Sequence, residues 1–136
     1  MMNKPFKVIA SVIVLLVLVG LLFVDTVPAR SLTFGRMFVT KRRIIQFARL
    51  HHKLPSDLAG LPEMPGYDTE TTDAWKRPLD YSFDGSGLVI LQSFGADKQP
   101  GGDGDKRDII GVFVSRDAQG NWQDELAEWK EDPVKP

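Results

Sequence analysis

Ser93-Phe-Gly-Ala-Asp97-Lys-Gln-Pro-Gly101-Gly-Asp103-Gly-Asp105-Lys-Arg-Asp108 sets one hydroxyl and four carboxylates among glycines in a single short segment. The apolar run Leu88–Leu91 precedes it and Ile109–Val114 follows, so it reads as the loop joining two strands. A connection of about fifteen residues without structure of its own calls for a function or an ordering agent. A hard cation is the simplest such agent. Calcium takes about six to eight oxygens at roughly 2.3–2.6 Å, from carboxylates, backbone carbonyls and water. Gly95, Gly101, Gly102 and Gly104 let the chain turn tightly around a small ion. Without one the carboxylates repel each other. The opposing reading is an ordinary solvated turn, since Asp and Gly dominate turns and Lys98, Lys106 and Arg107 supply balancing charge. The EF-hand spacing is absent, and magnesium suits such a loop poorly because it holds its waters in a strict octahedron. On chemistry alone, both readings stay open.

Outward from the loop, Leu79–Phe83 and Leu88–Ser93 are strands joined by the hairpin signal Asp84-Gly85-Ser86-Gly87. Ile109–Val114 is the third strand, and Asp117-Ala-Gln-Gly120 turns beyond it. Upstream, Ser31 or Thr33 is positioned to cap a helix running to about His52, with Pro55 stopping it. Lys41-Arg42-Arg43 is expected on its solvated face, and residues 60–72 as connecting loop. Trp122, Leu126 and Trp129 recur at i, i+4 and i+7, which predicts a short amphipathic C-terminal helix. The class is α+β.

Val8–Val24 is apolar throughout and follows Lys4 and Lys7. As a helix it would span about 25 Å, slightly short of a bilayer core of about 30 Å. It is longer than the usual signal-peptide core, so retention as an anchor is expected. Cleavage is the alternative, because Val27-Pro28-Ala29 offers small residues at recognition positions. Two regions follow: 1–30 as membrane anchor or signal segment, and 31–136 as the globular domain. The net charge of −1 gives nothing to attract nucleic acid, and the absence of cysteine excludes disulfides and thiolate metal sites. His51 and His52 are adjacent at a helix end and point apart, so they do not make a chelating pair. No nucleophile elbow or phosphate-binding glycine loop is present. Catalysis is not expected.

Asp73-Ala-Trp75-Lys-Arg-Pro78-Leu-Asp-Tyr81, then Ser93-x-Gly95-Ala-Asp97, Gly101-Gly102-Asp103-Gly104 and Asp108-Ile109, occur in that order. This succession resembles the C-terminal domain of the type II secretion major pseudopilin over about residues 40–115. The resemblance implies a pilin-like fold: a hydrophobic N-terminal helix continues into a second helix packed on a small antiparallel sheet, with a calcium-binding loop. It implies calcium as cofactor. Asp97 and Asp105 would be carboxylate ligands, Ser93 Oγ the next, and Asp103 a rival to Asp105. Carbonyls near Leu91 and Gly101 would complete the shell, while Asp108 bonds the loop backbone. It also implies a single-pass inner-membrane protein with its domain in the periplasm, or one exported after cleavage. Its partners would be the membrane, other pseudopilins or secretion-system components.

The sequence departs from the family pattern in three places. No prepilin peptidase site or helix-start Glu is evident, and Lys76 and Lys98 stand where the family has glycine. The alternatives are therefore a standalone extracytoplasmic calcium-binding interaction module outside any pseudopilus, or an interaction domain with no ion.

Overall fold

β-Strands β1 (Asp80–Phe83), β2 (Leu88–Ser93), β3 (Ile109–Val114) and the two-residue β4 (Lys130–Glu131) form an antiparallel sheet in the order β1-β2-β3-β4. In this computed structural model the described residues are 4–22, 27–126 and 129–131. Two helices precede the sheet, α1 (Lys4–Leu22) and α2 (Ala29–His51). The architecture is the expected α+β arrangement, with all three long strands found within one residue of their predicted bounds.

The sheet follows from alternation. Val89, Leu91 and Ser93 of β2 point inward, as do Ile109, Gly111 and Phe113 of β3, and the residues between them are half-buried or exposed. Register pairs Leu91 with Tyr81 on one side and Gly111 on the other. Met37, Ile44 and Ile45 of α2 close the core over these side chains, joined by Leu61 and Leu79 from the long connection. Each such side chain contributes about 1.5–3 kcal/mol by leaving water. The hairpin turn is fixed by Asp84, whose Oδ1 accepts from the amides of Ser86 at 2.9 Å and Leu88 at 3.0 Å.

Helix α2 begins earlier than the capping residues predicted. Its N-cap is Pro28, with no side-chain cap, rather than Ser31 or Thr33. Proline has no N–H to leave orphaned and its ring sets φ for a helix start. Thr33 lies within the helix, donating its hydroxyl to Ala29 O at 2.9 Å and accepting from the Ala74 amide at 2.9 Å. At the far end His52 takes a left-handed C-cap with φ 58°.

The basic triplet on α2 is a correction. Lys41 and Arg43 are buried, at 1% and 4% exposure, not solvated. The long connection after α2 has no ladder of its own, so its carbonyls need donors. Arg43 supplies them to Pro62 O at 2.7 Å, Leu61 O at 3.1 Å and Thr69 O at 2.7 Å. Lys41 reaches Glu125 O at 3.4 Å and lies near the rings of Phe38 and Phe113. Burial lowers its pKa, the nearby Asp124 opposes that shift, and Arg42 adds to it.

The C-terminal helix is a second correction. Among the described residues that region is turn and short strand. Asp124 bends the chain by accepting from the Leu126 amide at 2.8 Å. Trp122 pairs with Arg116 in an isolated bridge and under its guanidinium. Trp129 lies over Gly111 and edge-on to Phe34. The i, i+4, i+7 spacing came from residues with three separate tasks, and Leu126 is 67% exposed.

In α1 the described side chains run from 8 to 19 and are largely exposed. Among the described residues no helix is long and apolar enough to cross a membrane. The join to α2 at 23–26, on which the expected helix continuation falls, lies outside them.

Candidate functional site

The site is built from three segments: the turn starting at Asp73, the 94–108 loop, and the first turn of α2. Asp73 is 2% exposed and has both carboxylate oxygens engaged. Its Oδ1 accepts from the amides of Trp75 at 2.9 Å and Arg77 at 3.0 Å. Its Oδ2 accepts from Ser93 Oγ at 2.9 Å and lies 3.3 Å from Arg77 Nη2. One carboxylate thus shapes its own turn and fastens it to the end of β2. Asp84 and Asp117 make the same i+2 and i+4 amide pattern in their turns. There Gly87 and Gly120 follow at i+3 with φ 83° and 82°. In the Asp73 turn that place belongs to Lys76, with φ 65°. Lys98 likewise has φ 58°. Both lysines hold the left-handed backbone that glycine adopts more readily, so the turn shapes survive the substitutions.

The loop starts against this network and closes on itself. The Gly95 amide donates to Ser93 Oγ at 3.2 Å, and Arg77 donates to the Gly95 carbonyl. Across the loop the Ala96 amide donates to Asp105 O at 2.7 Å. Gly95 has φ 70°, and a Cβ there would sit 2.7 Å from the carbonyl oxygens of Arg107 and Lys106 and 2.8 Å from that of Asp105. Only glycine allows three carbonyls so close. The exit of the loop is held by Arg30 of α2, whose Nη1 donates to Arg107 O at 2.5 Å and Gly104 O at 3.3 Å, and whose Nη2 donates to Asp108 O at 3.4 Å.

The residues expected around an ion are distributed unevenly. Ser93 is buried, with its hydroxyl already bonded to Asp73 and Gly95. Asp97 is exposed and folds back to accept the Gln99 amide at 3.0 Å. Asp103 and Asp105 are exposed at the start of a short 3-10 turn, Gly104–Lys106. Leu91 sits fully buried in mid-sheet. Asp108 accepts a long 3.4 Å bond from Gln92 at Oδ2, while its Oδ1 is buried without a partner among the described residues. Among the described residues no group of three or more His, Cys, Asp or Glu side chains is placed to hold a metal ion. The donors that fit a hard cation are oxygens: the orphaned Asp108 Oδ1 and the crowded carbonyls of residues 105–107.

Sequence reasoning missed three residues here: Asp73 as the partner of Ser93, Arg77 at the loop start and Arg30 at its exit. Asp73 had a local signal, because an Asp followed at i+2 and i+4 by turn amides recurs three times in the chain. The two arginines had none, since they act across the fold.

A family model described as type II secretion system (T2SS), protein G matches residues 52–112. Over those residues the chain is similar to the protein G pseudopilin family. The match runs from the end of α2 through β1 and β2, takes in the whole acidic loop and ends within β3. The Asp73 turn, Ser93 and the glycines of the loop therefore all lie inside the matched residues, whereas Arg30 lies outside them. No curated protein and no solved structure matches the chain.

Proposed function

We propose that this chain is a structural protein of type II secretion, tethered to the membrane by its N-terminal segment and stabilised by calcium in the 94–108 loop. The observation that carries the reading is the pseudopilin match over residues 52–112, on a sheet whose β2–β3 connection is the acidic, glycine-rich loop. Calcium would be held by Asp108 and the carbonyls of 105–107, with Asp97, Asp103 and Asp105 free to swing in from the surface. It would supply charge neutralisation and order, and no chemistry. Residues 1–30 would anchor the chain through the largely apolar run Val8–Val24, and 31–136 would face the periplasm because the match is to a secretion-system family. Charge alone does not orient the helix, since Lys4 and Lys7 precede it and Arg30, Arg36, Lys41, Arg42 and Arg43 follow it.

Fractionation of cells making the full chain tests the tether. The expected result is a protein that stays in the membrane pellet through alkaline carbonate and is digested only by protease admitted to the periplasm. A protein released by carbonate into the soluble fraction would rule the anchor out and leave an exported module.

A further inference from the structure

We propose that Arg30 is the resident cation of the acidic loop: it keeps the loop closed when no metal is bound and opposes a dication that enters. The second half rests on the calcium reading above; the first does not. Arg30 is the second residue of α2, at the positive end of the helix dipole, where a cation is disfavoured. The first turn of α2 carries no acidic residue to offset it. At the loop exit Gly104, Arg107 and Asp108 all turn carbonyls toward the guanidinium. A charged donor strengthens each of these bonds.

Carbonyl oxygens in a turn of acidic chain are what a hard cation takes. Here a side chain from 77 residues upstream takes one of them, Arg107 O. That same oxygen belongs to the trio crowding Gly95. A dication bound at the trio would meet the guanidinium at contact range, where like charges repel strongly. It would also compete for the Arg107 carbonyl. The loop therefore has two alternative closures, one built in and one supplied. Because Arg30 stands in the first turn of α2, a change of closure is felt at the start of that helix.

Amide hydrogen exchange of the full chain in detergent micelles tests this, comparing wild type, Arg30→Gln and Arg30→Lys in EDTA and in calcium chloride. The expected result in EDTA is loop amides of 94–108 exchanging about tenfold faster in R30Q than in wild type, with β2 and β3 unchanged and R30K intermediate. Calcium then restores the R30Q loop, and at a lower concentration than wild type requires. Equal loop protection in wild type and R30Q in EDTA would overturn the proposal. Faster exchange through the whole sheet, unrescued by lysine, would overturn it too, by assigning Arg30 to the general fold. An R30Q loop that opens and is not restored by calcium keeps the built-in closure, and overturns both the predicted opposition and the calcium reading. Restoration needing as much calcium as wild type keeps that reading and overturns the opposition alone.

Discussion

Asp73→Ala is expected to cost about 3–5 kcal/mol of stability, the usual effect of removing one partner from a buried, hydrogen-bonded charge pair. The reason is the number of groups that depend on one carboxylate. The amides of Trp75 and Arg77, the Ser93 hydroxyl and the Arg77 guanidinium all lose an acceptor at once. Ser93 and the Trp75 amide sit where water does not readily replace it, since Asp73 is 2% exposed. For a domain of this size each kcal/mol moves the melting temperature by about 4–8 °C. Thermal melting followed by tryptophan fluorescence should therefore show a fall on the order of 15–30 °C. Asp73→Asn keeps an oxygen for the two amides but sets an NH2 donor where Oδ2 accepted from Ser93 Oγ and faced Arg77, so its fall should be smaller than that of D73A but still clear. A melting temperature for D73A within a few degrees of wild type would contradict the network as described.

Gly95→Ala is expected to cost about 2–4 kcal/mol, from two sources that add. A left-handed backbone at a residue with a Cβ costs about 1 kcal/mol or somewhat more. Overpacking adds about 1–3 kcal/mol, and here the obstacle is backbone: three carbonyl oxygens at 2.7–2.8 Å from the new methyl. No side-chain rotation relieves that contact, so the loop must part from its own exit and give up the Ala96–Asp105 bond. Gly101→Ala is the matched comparison. Its φ of 84° carries the same backbone strain but nothing lies within 4 Å of the added methyl. The difference in melting temperature between the two isolates the close approach. Equal losses would mean that the loop strands do not meet at Gly95.

What the sequence made legible was whatever repeats locally. Strand alternation located β1, β2 and β3, and the Asp84–Gly87 signal located the hairpin, because period and turn chemistry are short-range properties. The order of motifs from Asp73 to Asp108 was equally readable and coincides with the pseudopilin match. Long-range donors were not legible. Arg43 is buried because the connection at residues 61–69 presents carbonyls to it, and nothing within the triplet Lys41-Arg42-Arg43 encodes that. Arg30 and Arg77 escaped for the same reason. The tryptophan spacing at the C-terminus misled because a helix period and a strand returning to cover Gly111 both place Trp129 on the sheet. In the acidic loop the sequence set out the oxygens, while the backbone decided that carbonyls rather than the exposed carboxylates of Asp97, Asp103 and Asp105 crowd the loop interior.

The most direct test of a calcium-stabilised pseudopilin domain is the melting temperature of the full chain in detergent with excess EDTA, with calcium and with magnesium. At a calcium concentration about a hundredfold above Kd the native state gains about 2.7 kcal/mol, a rise on the order of 10 °C. That rise should be absent with magnesium, lost in Asp97→Ala and Asp108→Ala, and kept in Asp80→Ala, which lies outside the loop. An unchanged melting temperature in saturating calcium, or an equal loss of the rise in D97A and D80A, would contradict the account.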